Sequence, residues 1–163
     1  MPDRFNMSYV MISYQRKDQN FVERLAEGIK KTGREVWVDL EDIPKTADWW
    51  EEIKAGIEGA DAFLFVISPT SIESRVCRQE IDHALENNKR IIPLLYKSVT
   101  PDAMESKMHP IIAATNWLFW DNDNKATSFK SIITALNLDL GYRQQHTRIL
   151  VLANEWDDNT RHD

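Results

Sequence analysis

AFLFVISPTSIESRVCRQEIDHALENN, residues 62–88, opens with six apolar residues from Ala62 to Ile67. That run is too short to span a membrane and has the length of a strand buried on both faces. Ser68, Pro69 and Thr70 break it. A helix is then expected to start near Ser71 or Ser74, either of which could cap it with a hydroxyl. At roughly 100° per residue, Cys77, Ile81, Ala84 and Leu85 share one face, while Arg75, Arg78, Asp82 and Glu86 point to water. Glu80 falls at the shoulder of the apolar stripe, about 85° from its centre. A carboxylate is thereby placed near the carboxyl end of a buried strand, where open α/β sheets bind ligands. The plainer expectation for Glu80 is a partly covered surface glutamate.

Outward from this unit the same alternation repeats. Residues 8–14 (SYVMISY), 35–39 (EVWVD), 90–96 (RIIPLLY) and 115–120 (TNWLFW) read as four further strands. Between the first two, Asp18 is expected to cap a helix carrying Phe21, Val22, Leu25, Ala26 and Ile29, which Gly33 stops in the left-handed region. Residues 40–47 form a polar loop containing Pro44. Asp48, Glu51 and Glu52 then load the start of a helix whose apolar positions are Trp49, Ile53 and Ile57 and which ends at Gly59. Residues 97–113 are long for a connection and are expected to hold an irregular or one-turn helical piece. Phe129, Ile132, Ile133, Leu136 and Leu138 belong to a closing helix. Near-continuously apolar strands alternating with helices predict a parallel sheet covered on both faces, with right-handed crossovers.

Size and charge narrow the function. The chain has 163 residues, enough for one domain and a short extension. Twenty basic against 26 acidic residues give a formal charge of −6, with no basic stripe, which argues against nucleic acid as a partner. The single cysteine, Cys77, fits a small core residue in a reducing compartment. Neither a secretory pattern at the start nor an apolar run of ~18 residues is present, so a cytoplasmic location is expected, without membrane contact. Gly-x-Gly-x-x-Gly and the phosphate loop are missing. A phosphoacceptor receiver needs acidic residues where Ser13-Tyr14-Gln15 and Ser68-Pro69-Thr70 stand. The histidines at 83, 109, 146 and 162 have no partner at metal-ligand spacing, and His83 is expected on a solvated helix face.

In order along the chain stand Val10-Met11-Ile12-Ser13-Tyr14, Val36-Trp37-Val38-Asp39, Asp42-Ile43-Pro44 and Trp49-x3-Ile53-x3-Ile57. Phe65-Val66-Ile67-Ser68-Pro69, Ser74-x2-Cys77-x2-Glu80 and Ile91-Ile92-Pro93-Leu94 complete the set. Together, over about residues 7–138, they resemble a Toll/interleukin-1 receptor (TIR) domain of the bacterial type. The resemblance implies a flavodoxin-like three-layer α/β/α fold with a five-stranded parallel sheet over residues 1–140. Residues 141–163 would be an extension or linker, with Thr147 to Trp156 a candidate short helix. Their apolar Ile149, Leu150, Leu152 and Trp156 have no obvious sheet to cover, which implies the amino-terminal part of a longer intracellular signalling or defence protein.

Many TIR domains cleave NAD at the nicotinamide–ribose bond, giving ADP-ribose or a cyclic isomer, with NAD as substrate and no cofactor. The resemblance maps their catalytic glutamate onto Glu80. Ser13, Tyr14 and Arg16 would line the pocket, with Asp39 and Trp50 flanking it. Active bacterial members often carry an aromatic residue where Val76 stands here, which is a departure. Other TIR domains are non-catalytic modules that self-associate through the loop that here includes Glu41, Asp42, Ile43 and Pro44. A nucleoside deoxyribosyltransferase-like enzyme, with a related sheet and a glutamate at a ribose, is a further alternative that the loop landmarks disfavour.

Overall fold

The structure is a computed structural model that describes residues 9–38 and 48–138. Its five strands are β1 (Tyr9–Ser13), β2 (Glu35–Val38), β3 (Ala62–Ile67), β4 (Arg90–Leu95) and β5 (Leu118–Phe119). They form one parallel sheet in the order β2-β1-β3-β4-β5. The helices are α1 (Gln19–Lys31), α2 (Trp49–Gly59), α3 (Arg75–Glu86), α4 (Pro101–Ser106), α5 (Pro110–Ala114) and α6 (Lys125–Leu136). The expected parallel α/β fold is therefore observed.

Strand alternation divides the core into two layers. Val10, Ile12, Leu64, Val66, Ile92 and Leu94 face α1 and α6, meeting Val22, Leu25, Ile29 and Ile132. Tyr9, Met11, Phe63, Phe65, Ile67 and Ile91 face the other way, onto Ile53 and Ile57 of α2, Cys77 and Ile81 of α3, and Ile112 of α5. Every residue of β3 is buried, as its uninterrupted apolar run requires. Pro93 is tolerated inside β4 because β5 pairs only with Leu94 and Leu95, so no ladder bond is asked of the missing N–H on that side.

Four expectations are revised. Residues 97–113 hold two short helices, α4 and α5, each with proline in its first turn. Thr100 caps the first and the His109 ring caps the second, accepting from the Ile111 N–H at 3.1 Å. Strand β5 is two residues long, not six. Thr115 and Trp117 turn back to bond the Ile111 and Ile112 carbonyls of α5, leaving only Leu118 and Phe119 to pair. His83 is not on a solvated face: α2 packs beside it, and its Nε2 lies 2.9 Å from Glu58 Oε1. Asp18 precedes α1 but its carboxylate makes no capping bond to that helix.

Other signals hold. Gly33 follows α1 at φ +95°, the conformation that an L side chain resists. At the foot of the sheet, Arg34 donates to the Leu136 carbonyl at 2.8 Å and Arg90 to the Ala135 carbonyl, so two cations close the carboxyl end of α6. Burial, and then the neighbouring Arg34 charge, lower the Arg90 pKa from its ordinary value.

Helix α2 lies close on the sheet at Gly56, where an added Cβ would stand 2.7 Å from the Trp37 ring. Ring and helix would have to separate, so Gly56→Ala is expected to cost about 1–3 kcal/mol through overpacking. Urea denaturation of the native chain and the variant measures the difference.

Candidate active site

The turn between β3 and α3 fixes where α3 starts. The Ser68 N–H donates to Ser71 Oγ at 2.9 Å, and the Ser71 N–H returns a bond to Ser68 Oγ at 3.2 Å. Both serines are 1% exposed, so this knot is an internal strut rather than a surface turn. Of the two candidate caps, Ser74 closes the helix, its hydroxyl accepting from the Cys77 N–H at 3.2 Å. Cys77 then faces the sheet and donates its thiol to the Tyr14 carbonyl at 3.6 Å. One turn further along, Glu80 points the same way.

The same alternation that puts Tyr9 and Met11 in the α2–α3 layer puts Ser13 there as well. Ser13, fully buried, donates its hydroxyl to Glu80 Oε1 at 3.0 Å. Glu80 itself is 1% exposed, so the expectation of a partly covered surface glutamate does not hold. The shoulder of an amphipathic helix becomes interior when the helix lies across the end of a strand. Ser13 is level with Phe65 of β3. From β1 the chain crosses to β2 on one side, and from β3 it crosses to β4 on the other. The pair therefore stands at the carboxyl end of β1, where the winding of the sheet reverses.

The other expected site residues lie as follows. Tyr14 is buried with its ring in the α1–α6 layer, since successive side chains alternate; its carbonyl is what faces α3. Arg16 is exposed in a 3-10 turn, Arg16–Asp18, directly after β1. The Trp50 ring is 6.2 Å from that of His83, one turn beyond Glu80, and 6.2 Å from that of Trp49. Val76 is half-buried at the start of α3. Asp39 and the loop residues Glu41, Asp42, Ile43 and Pro44 lie outside the described residues, as does the extension at 141–163.

A second polar pair escaped the sequence reading. Asp18 is 2% exposed, and its Oδ1 lies 3.8 Å from Lys97 Nζ, just past β4. No spacing rule joins residues so distant in sequence. Among the described residues no group of three or more histidine, cysteine or carboxylate side chains could hold a metal ion.

A family model described as TIR domain matches residues 10–133. The chain belongs to the TIR domain family. No curated protein sequence matches it. Among solved structures, the TIR domain of a Toll-related receptor from Hydra magnipapillata superposes at a TM-score of 0.60. It is 22% identical, and the match covers 77% of this chain and 95% of that one. TIR domains of the activated Roq1 resistosome match at 0.53 and 17% identity, over 91% and 84% of the two chains. A CMP N-glycosidase from Clostridium botulinum matches at 0.51 and 15% identity, over 77% and 99%. These likenesses concern the fold. No helix among the described residues is long and apolar enough to cross a membrane.

The Ser13–Glu80 bond ties the end of β1 to α3 inside the protein. Ser13→Ala removes a donor from a buried carboxylate, which is expected to cost about 1–3 kcal/mol. Denaturant unfolding checks this, with Ser13→Thr, which keeps the hydroxyl, as the conservative control.

Proposed function

We propose that this TIR domain hydrolyses NAD at the nicotinamide–ribose bond, with Glu80 as the catalytic carboxylate. The observation that carries this reading is a buried glutamate, held by Ser13, at the sheet's winding reversal. Membership of a family in which many domains cleave NAD supports it, and so does the shared fold of an enzyme whose name is CMP N-glycosidase. The nicotinamide–ribose bond is likewise N-glycosidic.

The chemistry asks little beyond one placed negative charge. When the bond from ribose C1′ to nitrogen breaks, both electrons go to the pyridinium ring, which departs neutral and needs no proton. The ribose is left as an oxocarbenium-like cation, as in glycoside hydrolysis. Glu80 accepts hydrogen bonds from the ribose hydroxyls and stabilises the developing positive charge across a short, water-poor distance. Water then bonds to C1′ and releases a proton, giving ADP-ribose; attack by a nitrogen of the adenine ring instead gives a cyclic isomer. Ser13 holds the carboxylate until ribose hydroxyls take over as donors. Because Glu80 is closed to solvent, the groups covering it must give way to substrate, and assembly of several copies is one means of driving that step.

Self-association is the second reading, favoured by a structural neighbour that forms part of a resistosome. Residues Glu41, Asp42, Ile43 and Pro44 are proposed as its contact loop. Assembly and catalysis are compatible, and their combination makes turnover rise steeply with protein concentration.

NAD consumption by the concentrated native chain, followed by chromatography of the products, tests the first reading. Glu80→Ala, checked by circular dichroism to be folded, is expected to lower turnover at least about a hundred-fold, the size of effect that loss of one charge-stabilising group has in other sites. A native chain that stays inert even when concentrated or tethered in arrays would leave only the interaction module. In that case, Ile43→Ala and Pro44→Ala should abolish sedimentation of assemblies.

A further inference from the structure

We propose that Lys97, positioned by Asp18, binds the diphosphate of a nucleotide substrate at the carboxyl edge of the sheet, where its winding reverses, from the α1 layer rather than the α3 layer that carries Glu80. The proposal rests on the reading of the winding reversal as a nucleotide site and adds to it a subsite for the anionic part of the ligand.

The first support is position. The main-chain N–H groups of Tyr96 and Lys97 both donate to the Ile67 carbonyl, at 3.1 and 3.3 Å. Lys97 is thereby pinned to the end of β3, although it follows β4. Asp18 leaves the end of β1, the strand beside β3. Their 3.8 Å approach therefore bridges the carboxyl ends of β1 and β3 at the winding reversal. Ser13 and Glu80 border that point from the α3 layer; Asp18, at the head of α1, borders it from the other.

The second support is how Asp18 is used. An aspartate before a helix ordinarily gives its carboxylate to the N–H groups of the first turn. Asp18 does not. Its Oδ2 is buried and makes no hydrogen bond among the described residues, a costly arrangement for a carboxylate. What Asp18 does have within reach is the Lys97 ammonium. Asp18 is therefore the positioning residue and Lys97 the binding one.

Lys97 is built for that role. Its ammonium lies 5.5 Å from the centre of the Tyr96 ring, which stacks on Phe21 at 3.9 Å and 5°. Aromatic platform and carboxylate together restrict a normally loose side chain. The side chain is nevertheless 55% exposed, and an ammonium has three donors, of which the one ion-pair contact among the described residues, at 3.8 Å, uses at most one. A compact cation with free donors is a phosphate ligand. A chain of net charge −6 needs such a fixed local cation to hold an anionic diphosphate.

Titration calorimetry with ADP and with adenosine tests this without requiring turnover. Lys97→Met should weaken ADP binding roughly ten-fold or more and leave adenosine unchanged, as expected for loss of a charge-assisted contact. Lys97→Arg should retain most of the affinity. Asp18→Asn, nearly the same size but uncharged, should weaken ADP in the same direction as Lys97→Met; circular dichroism checks its fold, and the two Lys97 variants decide the matter if it does not fold. Unchanged ADP affinity in Lys97→Met, an equal loss for adenosine, or a native chain that binds no ADP would overturn the proposal. Lys97-dependent ADP binding by a chain that leaves NAD intact would refute the catalytic reading and uphold this subsite.

Discussion

A strand with no solvent face constrains everything around it. Residues Ala62–Ile67 are buried throughout, so β3 needs a strand on each edge and a helix layer on each face. Parallel pairing with β1 and β4 meets the first need, and parallel pairing in turn demands crossover segments long enough to carry the helices that meet the second. Crossovers from a central β1–β3 pair then send the chain outward in opposite directions, to β2 and to β4. The winding thus reverses between β1 and β3, a property of the topology that is set before any functional side chain is considered.

That constraint also decides which side chains meet there. Alternation assigns Ser13 to the α3 layer and Tyr14 to the α1 layer, so two residues adjacent in sequence serve different sides of the sheet. Helix α3 adds its own period: Cys77 and Glu80, three apart, both face the end of β1, and each bonds a residue there, Tyr14 through its carbonyl and Ser13 through its hydroxyl. Ser74 and the Ser68–Ser71 knot set the starting point of that helix, and hence the height at which Glu80 stands. A carboxylate placed in this way is held by several elements at once. Such preorganisation is what electrostatic stabilisation of a ribosyl cation requires.

Much of this was legible in the sequence, for reasons that lie in local periodicity. The run from Ala62 to Ile67 announces a buried strand, and the angular position of Glu80 on α3 separates it from both the apolar stripe and the wet face. Signals failed where the outcome depended on neighbours distant in the chain. His83 carries no mark of the α2 residue Glu58 that pairs with it. The six-residue run at 115–120 looks like a full strand, but α5 captures Thr115 and Trp117 first. Asp18 looks like a helix cap, and local rules cannot say that its carboxylate turns instead to Lys97. The proline-led helices α4 and α5 were in principle readable, from Thr100-Pro101 and His109-Pro110.

The two polar pairs differ in a way that matches a division of labour. Glu80 is closed to water and accepts a hydrogen bond from a neutral hydroxyl. Lys97 is open to water and faces a buried carboxylate that restrains it at a distance too long for a close ion pair. A charge required to respond to a cation that exists only during the reaction belongs in a low-dielectric setting, where its field is weakly screened. A charge required to capture an anion from solution belongs at the surface, on a stem held still enough that binding need not order it. On the proposed reading, stabilisation falls to the Glu80 side and recognition to the Lys97 side, and both pairs stand where the winding of the sheet reverses.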